Sequence, residues 1–211
     1  MTVAPYLMPS YGEATALSGM LALICALVTG IRYFKYIPWK KLTVILLTFI
    51  VVSFFAVEVV SRVDSHTLKH VLGVILILVS IWFFLFNDKI HIKPSAGVQL
   101  GMGTISGAMG GLFGMQGPPA VIYFISCSEK KEEYMALTQT YFIIGNIMMT
   151  AFRAANGFVT PCVIQRWIPG IAAVMVGLLL GSKIYDRMPI GILRKFVYVF
   201  IGISGIVALF A

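Results

Sequence analysis

The sequence predicts an all-α integral membrane protein: six spanning helices plus one broken Gly-Pro-Pro re-entrant hairpin, disposed as two related, inverted halves. Three observations predict it. Hydrophobic residues make up 59% of the 211, charged residues only 11%, and the mean hydropathy is +0.94. A soluble domain carries about 25% charged residues. Six stretches are apolar over the roughly 20 residues a spanning helix needs. Between the third and fourth lies a further apolar stretch, too long for one simple span and interrupted by glycines and two adjacent prolines. No polar segment is long enough for a second domain. Residues 1–211 therefore read as a single polytopic domain of the cell membrane.

The spans follow in order. Ala14–Ile31 opens the chain; no basic stretch precedes a short apolar core, so this span, rather than a cleavable signal, directs insertion. The basic loop Arg32–Lys41 separates it from Leu42–Val60. Arg62 and Lys69 precede or open Leu68–Phe86, and Lys89 and Lys93 follow it. The broken segment Ala96–Ser126 comes next, closed by Lys130 and Lys131. Ala136–Ala154, Ile164–Ile184 and Ile190–Phe210 complete the set.

Lysine and arginine concentrate in cytoplasmic loops. If Ala96–Ser126 crossed once, the basic residues would divide evenly between the two sides. If it dips in and returns as a hairpin, twelve fall on one side. Only Arg62, Lys69, Arg153 and Arg166 remain on the other. The hairpin is therefore the predicted topology, with both of its ends and the Arg32–Lys41 loop in the cytoplasm.

An internal repeat supports two halves, residues 1–95 and 96–211. Arg62, Leu68 and Lys69 align with Arg187, Leu193 and Arg194. Glu13, Ala16, Leu17 and Ser18 align with Glu133, Ala136, Leu137 and Thr138. With a hairpin between them the halves have opposite orientation, a pattern that recurs in secondary transporters. The second half opens on the glycine hairpin. The corresponding leg of the first half would precede Thr2–Leu7, and Met1 leaves no room for it. A truncated, non-transporting membrane subunit that needs a partner is therefore the alternative reading.

The chemistry centres on Gly107-Ala-Met-Gly-Gly-Leu-Phe-Gly-Met-Gln-Gly-Pro-Pro119. Pro118 and Pro119 have no N–H, and Pro118 disfavours helix at Gly117. Broken backbone at membrane depth is tolerated only inside protein or beside a watery cavity. A half-helix beginning near Gly117 presents unpaired N–H groups and a positive end, a combination that binds anions. Since the prolines remove two donors, Gly117, Ala120 and Val121 are the candidate donors. Gly107, Gly110 and Gly111 are expected to pack the two legs closely, with Pro118 and Pro119 shaping the break. Gly114 and Gln116 are assigned to the site itself. Gln116 either narrows the tip or contacts substrate with its amide.

On the following span Thr138, Gln139 and Asn146 are further substrate-binding candidates; positions 139, 142 and 146 share a helix face. Asn146 either binds substrate or holds the hairpin tip. Tyr123 caps the site or fills the core, with core preferred. Thr15 and Ser18 hold the related positions of the first half. Arg153, near its helix end, is expected to snorkel to the interface, with an anion-drawing vestibule as the alternative. Glu58 lies four residues before Arg62; a local ion pair is preferred to a proton-coupling role.

Gly103–Tyr123, GTISGAMGGLFGMQGPPAVIY, resembles the second signature of the TauE/SafE sulfite exporter family. The likeness continues through Thr138, Asn146 and Arg153, and Thr2–Gly30 resembles the region after the family's first signature. The resemblance implies a two-halved membrane transporter for small sulfur-containing anions such as sulfite and organosulfonates. Where the family often has glycine after Met115, this chain has Gln116.

Other classes are excluded or unsupported. The net charge of +8 is scattered between apolar spans and does not read as a nucleic-acid surface. Cys25, Cys127 and Cys162 have no metal or redox spacing. His66, His70 and His91 fall near loops or helix ends without an HExxH pattern, so neither a metal site nor an intramembrane enzyme is predicted. No cofactor is expected. The expected partners are the lipid bilayer and a small anion, and a homo-oligomer is compatible with the chain.

Overall fold

A computed structural model of the chain describes residues 8–64 and 95–187 throughout, of 182–187 the backbone alone. Between these stretches it describes residues 67, 68, 70, 71, 73–75, 77, 78 and 81, and beyond them residue 203. Every regular element among these residues is helical. They are α1 (Tyr11–Gly30), a 3-10 helix (Ile31–Tyr36), α2 (Trp39–Arg62), α3 (Ala96–Phe113), α4 (Gly117–Cys127), α5 (Lys131–Ala155) and α6 (Pro161–Arg187). The third predicted span falls largely outside the described residues, although its described positions are helical. The sixth lies outside them but for Ile203.

Helix α1 starts three residues before the predicted span because Ser10 caps it, its hydroxyl accepting the Glu13 N–H at 3.2 Å. Among the described residues three helices are both long and apolar enough to cross a membrane: Tyr11–Tyr36, which includes the 3-10 turn, Trp39–Arg62 and Pro161–Gly181. The 25-residue α5 is long enough but less apolar. Its polar residues Thr138, Thr140, Asn146 and Arg153 are buried, so α5 turns them inward against the other helices.

Helices α2 and α3 run parallel along a stripe of glycines. A Cβ on Gly103 would stand 2.8 Å from the Ile45 carbonyl oxygen, and one on Gly107 2.9 Å from that of Phe49. Gly111 meets the Ala56 Cβ and the Ser53 carbonyl. Small residues let helix backbones approach this closely in membranes. The sequence reading has Gly107, Gly110 and Gly111 joining the two hairpin legs. The structure instead turns Gly107 and Gly111 toward α2, while Gly110 faces the Phe49 ring and the Gln116 Cβ. Gly107→Ala is accordingly expected to cost about 1–3 kcal/mol by overpacking backbone, measurable as a lower unfolding midpoint in detergent.

The chain turns back after α3. Lys41, at the start of α2, donates from Nζ to the Cys127 carbonyl at the end of α4, at 2.8 Å, and pairs with Glu133 of α5 at 2.7 Å. The ammonium beside it holds the Glu133 carboxyl below its ordinary range. Since α3 begins at this same end, α3 and α4 are antiparallel legs with their tip at Gly114–Gln116. The second leg is locked between α2 and α5 by a core of Leu42, Ile45, Phe49, Ala120, Phe124 and Tyr141. The Tyr141 ring sits 5.1 Å from that of Phe49 and 5.4 Å from that of Phe124.

Helix α1 lies antiparallel against α5. Gly30 faces Gln139, Gly19 faces Asn146 and Arg153, and Gly12 faces Phe158. The exposed Glu58–Arg62 ion pair, at 2.7 Å, is the local pair the spacing predicts.

Candidate functional site

The break is built by its sequence. Helix α3 ends in a left-handed residue, Gly114 (φ 67°, ψ 22°), whose N–H bonds the Gly110 carbonyl while the Met115 N–H reaches back to that of Met109. This is a glycine-terminated helix stop. Two residues on, Gln116 precedes α4, which starts Gly117-Pro118-Pro119. Proline fits the first turn of a helix, where an N–H has no intrahelical acceptor. The Gln116 carbonyl is held by the Ser106 hydroxyl of α3, which itself accepts from the Tyr141 hydroxyl of α5 at 2.7 Å. A buried three-residue chain of hydrogen bonds thus ties the tip to both α3 and α5.

Beside the tip is a cavity of about 390 Å³. Gly114, Met115, Gln116 and Gly117 form one wall, Gln139, Phe142 and Asn146 of α5 a second, and Ala22, Cys25, Ala26 and Thr29 of α1 the third. Five of the predicted site residues meet here: Gly114, Gln116, Gly117, Gln139 and Asn146. Ala120, Val121 and Thr138 do not line it. Ala120 is fully buried in the core, and Thr138 is buried on another face of α5. Tyr123 is fully buried as core, the preferred of its two readings. Pro119 is buried and Pro118 half-buried in the first turn of α4.

The polar equipment of the cavity is amide and hydroxyl. Asn146 donates from Nδ2 to the Phe142 carbonyl at 2.8 Å. Thr29 has the Cys25 carbonyl at 2.8 Å and the Gln139 amide oxygen at 3.0 Å. The Gln116 side chain is 7% exposed and wedges against Gly145; its Oε1 has no hydrogen-bond partner among the described residues. Unpartnered buried amides are costly and call for a polar partner. The Thr15 hydroxyl bonds within its own helix, to the Gly12 carbonyl at 2.8 Å. Among the described residues no cluster of His, Cys, Asp or Glu is placed to hold a metal ion.

Arg153 departs most from expectation. It does not snorkel: it is 2% exposed, among the most buried large side chains. Nη1 donates to the Thr15 carbonyl of α1 at 3.1 Å, and Nη2 to the Gly110 and Gly111 carbonyls at 3.0 and 3.4 Å. Among the described residues no carboxylate pairs with it; the ion pairs are Lys41–Glu133 and Glu58–Arg62. The guanidinium therefore caps the carbonyl end of α3 from α5, directly behind the tip. A Cβ on Gly19 would stand 3.3 Å from its Nη1 and 3.7 Å from Asn146 Oδ1, so it lies one layer from the cavity. The signal for this was periodicity: 139, 142, 146 and 153 follow one face of α5. Gly103, the first glycine of the stripe, was also missed as a packing residue.

Apolar helices around a broken helical tip, with a cavity that carries a few amides beside it, fit the architecture of a membrane transporter. The chain matches the family described as Sulfite exporter TauE/SafE over residues 1–208, and it belongs to that family. The family is one of membrane transporters for sulfite and related anions, not of enzymes. No curated protein and no solved structure matches the chain.

Proposed function

We propose that the protein exports small oxyanions, sulfite or organosulfonates, through the cell membrane, and takes them in the cavity at the tip between α3 and α4. The observation that carries this is the electrostatics of the site. The positive end of α4 opens onto a cavity whose polar groups are amides and a hydroxyl, and the buried Arg153 behind the tip has no carboxylate against it among the described residues. Helix N-termini attract anions.

In this reading residues 96–127 enter the membrane from the cytoplasmic side and return to it, and the protein has six spans. The antiparallel course of α3 and α4, with Lys41 holding the far end of α4 at Cys127, supports re-entry. The antiparallel packing of α1 on α5, helices of matching position in the two halves, supports inversion. Family membership does not favour the alternative of a non-transporting subunit. Export needs no second ion, because an inside-negative potential drives an anion outward with roughly 2.3 kcal/mol per charge per 100 mV.

The test is sulfite efflux from proteoliposomes under an imposed potential. Flux that follows the potential is expected in the parent protein. Gly117→Leu, whose side chain would enter the cavity beside Phe142, is expected to stop it. Flux indifferent to the potential contradicts electrogenic export, and unchanged flux in the variant moves the pathway away from the tip.

A further inference from the structure

We propose that Arg153 sets the charge of this site, so that it accepts oxyanions carrying a single negative charge and rejects dianions. The inference rests on the cavity being the transport site. A hairpin tip brings together two opposite helix ends, the carbonyl end of α3 and the N–H end of α4. Each is worth about half an elementary charge, negative and positive respectively. Alone they cancel, and such a tip offers an anion little. Arg153 changes the balance. Its guanidinium lies on the Gly110 and Gly111 carbonyls, at 3.0 and 3.4 Å, and holds the Thr15 carbonyl of the facing helix.

With the two half-charges cancelled, one full positive charge remains beside the cavity. Among the described residues the cavity lining carries no charged side chain. Three of the five guanidinium N–H donors are taken by carbonyls. Those carbonyls anchor the cation without neutralising it.

Specificity follows from the count. A monoanion in the cavity brings the buried charge to zero. A dianion leaves one negative charge that the guanidinium does not match, between walls that are mainly apolar, where an uncompensated ion is costly. For sulfite the bound species is therefore the singly charged hydrogensulfite. Arg153 acts here as a positioning and charge-setting residue; it does not line the cavity.

The experiment compares two anions of fixed charge, radiolabelled methanesulfonate and sulfate, with sulfite as reference, in proteoliposomes at one imposed potential. Methanesulfonate is expected to be carried at least about 100-fold faster than sulfate, the equivalent of about 2.8 kcal/mol at 1.4 kcal/mol per factor of ten. Asn146→Asp, which sets a negative charge beside the guanidinium in place of a neutral amide of the same size, is expected to remove methanesulfonate flux. Asn146→Gln is the neutral control and is expected to retain more of it. Sulfate carried as fast as methanesulfonate overturns this inference and leaves anion export standing. No flux of any of the three anions from folded parent protein overturns export itself. Equal flux in the Asp and Gln variants overturns the charge-setting role of Arg153.

Discussion

Replacing Arg153 with leucine is expected to lower stability by about 2–4 kcal/mol, although it removes a buried charge. Two effects oppose each other. Leucine relieves the desolvation of the guanidinium, and exchange of a buried ion for an apolar group is often neutral or stabilising when its partners go too. Here the partners stay. They are backbone carbonyls on α3 and α1, which no side-chain substitution removes. The Gly110 carbonyl keeps the Gly114 N–H at 2.8 Å, so the group left worst is that of Gly111 at the end of α3.

An unsatisfied buried acceptor costs about 1–3 kcal/mol, and the leucine is also shorter than the side chain it replaces. The loss of partners therefore wins. For a chain of this size about 2–4 °C accompanies each kcal/mol, so the unfolding temperature in detergent is expected to fall by roughly 4–16 °C. Arg153→Lys is expected to fall between the parent and the leucine variant. It keeps the charge but lacks the planar fork that reaches carbonyls on two helices. A leucine variant as stable as the parent would mean that the carbonyls find other donors and that Arg153 does not hold the tip.

The sequence exposes those parts of this site that local chemistry dictates. Gly114, Gln116 and Gly117 were placed because Gly-Pro-Pro leaves the backbone few options. Gln139 and Asn146 were placed because helical periodicity puts them on one face. All five line the cavity. What the sequence concealed depends on which helix arrives opposite. Gly107 and Gly111 form a visible stripe of small residues, but spacing alone does not say whether α4 or α2 fills it.

Ala120, Val121 and Thr138 lie on the same two helices but do not line the cavity, a distinction set by the rotation of α4 and α5 in the core. Arg153 is the clearest case. Its position near a helix end matches a snorkelling arginine, and only the carbonyl end of α3, brought there by the break, makes burial affordable. The 3-10 turn Ile31–Tyr36 had no sequence counterpart in the basic loop predicted there.

Gly114→Val is expected to abolish flux and to cost about 1–3 kcal/mol, because a β-branched side chain is a poor occupant of the left-handed region. Gly114 has φ 67° and ends α3 through the bonds of its own N–H and that of Met115. Valine must either bear this strain or release the stop, and a released stop moves Gln116 and Gly117 together with the α4 end that faces the cavity. The same residue lines the cavity, so a lost flux alone does not separate backbone shape from contact with substrate.

Gly114→Asn separates them. Asparagine visits the left-handed region more readily than other non-glycine residues, yet it adds a side chain that reaches further than valine's into the space at the cavity wall. If shape is what Gly114 supplies, the asparagine variant keeps near-parental stability and measurable sulfite flux while valine loses both. If asparagine folds as well as glycine but carries no sulfite, Gly114 is needed as open space against the anion. A valine variant with parental stability rejects the conformational role outright, since the left-handed stop would then not be what holds the tip in place.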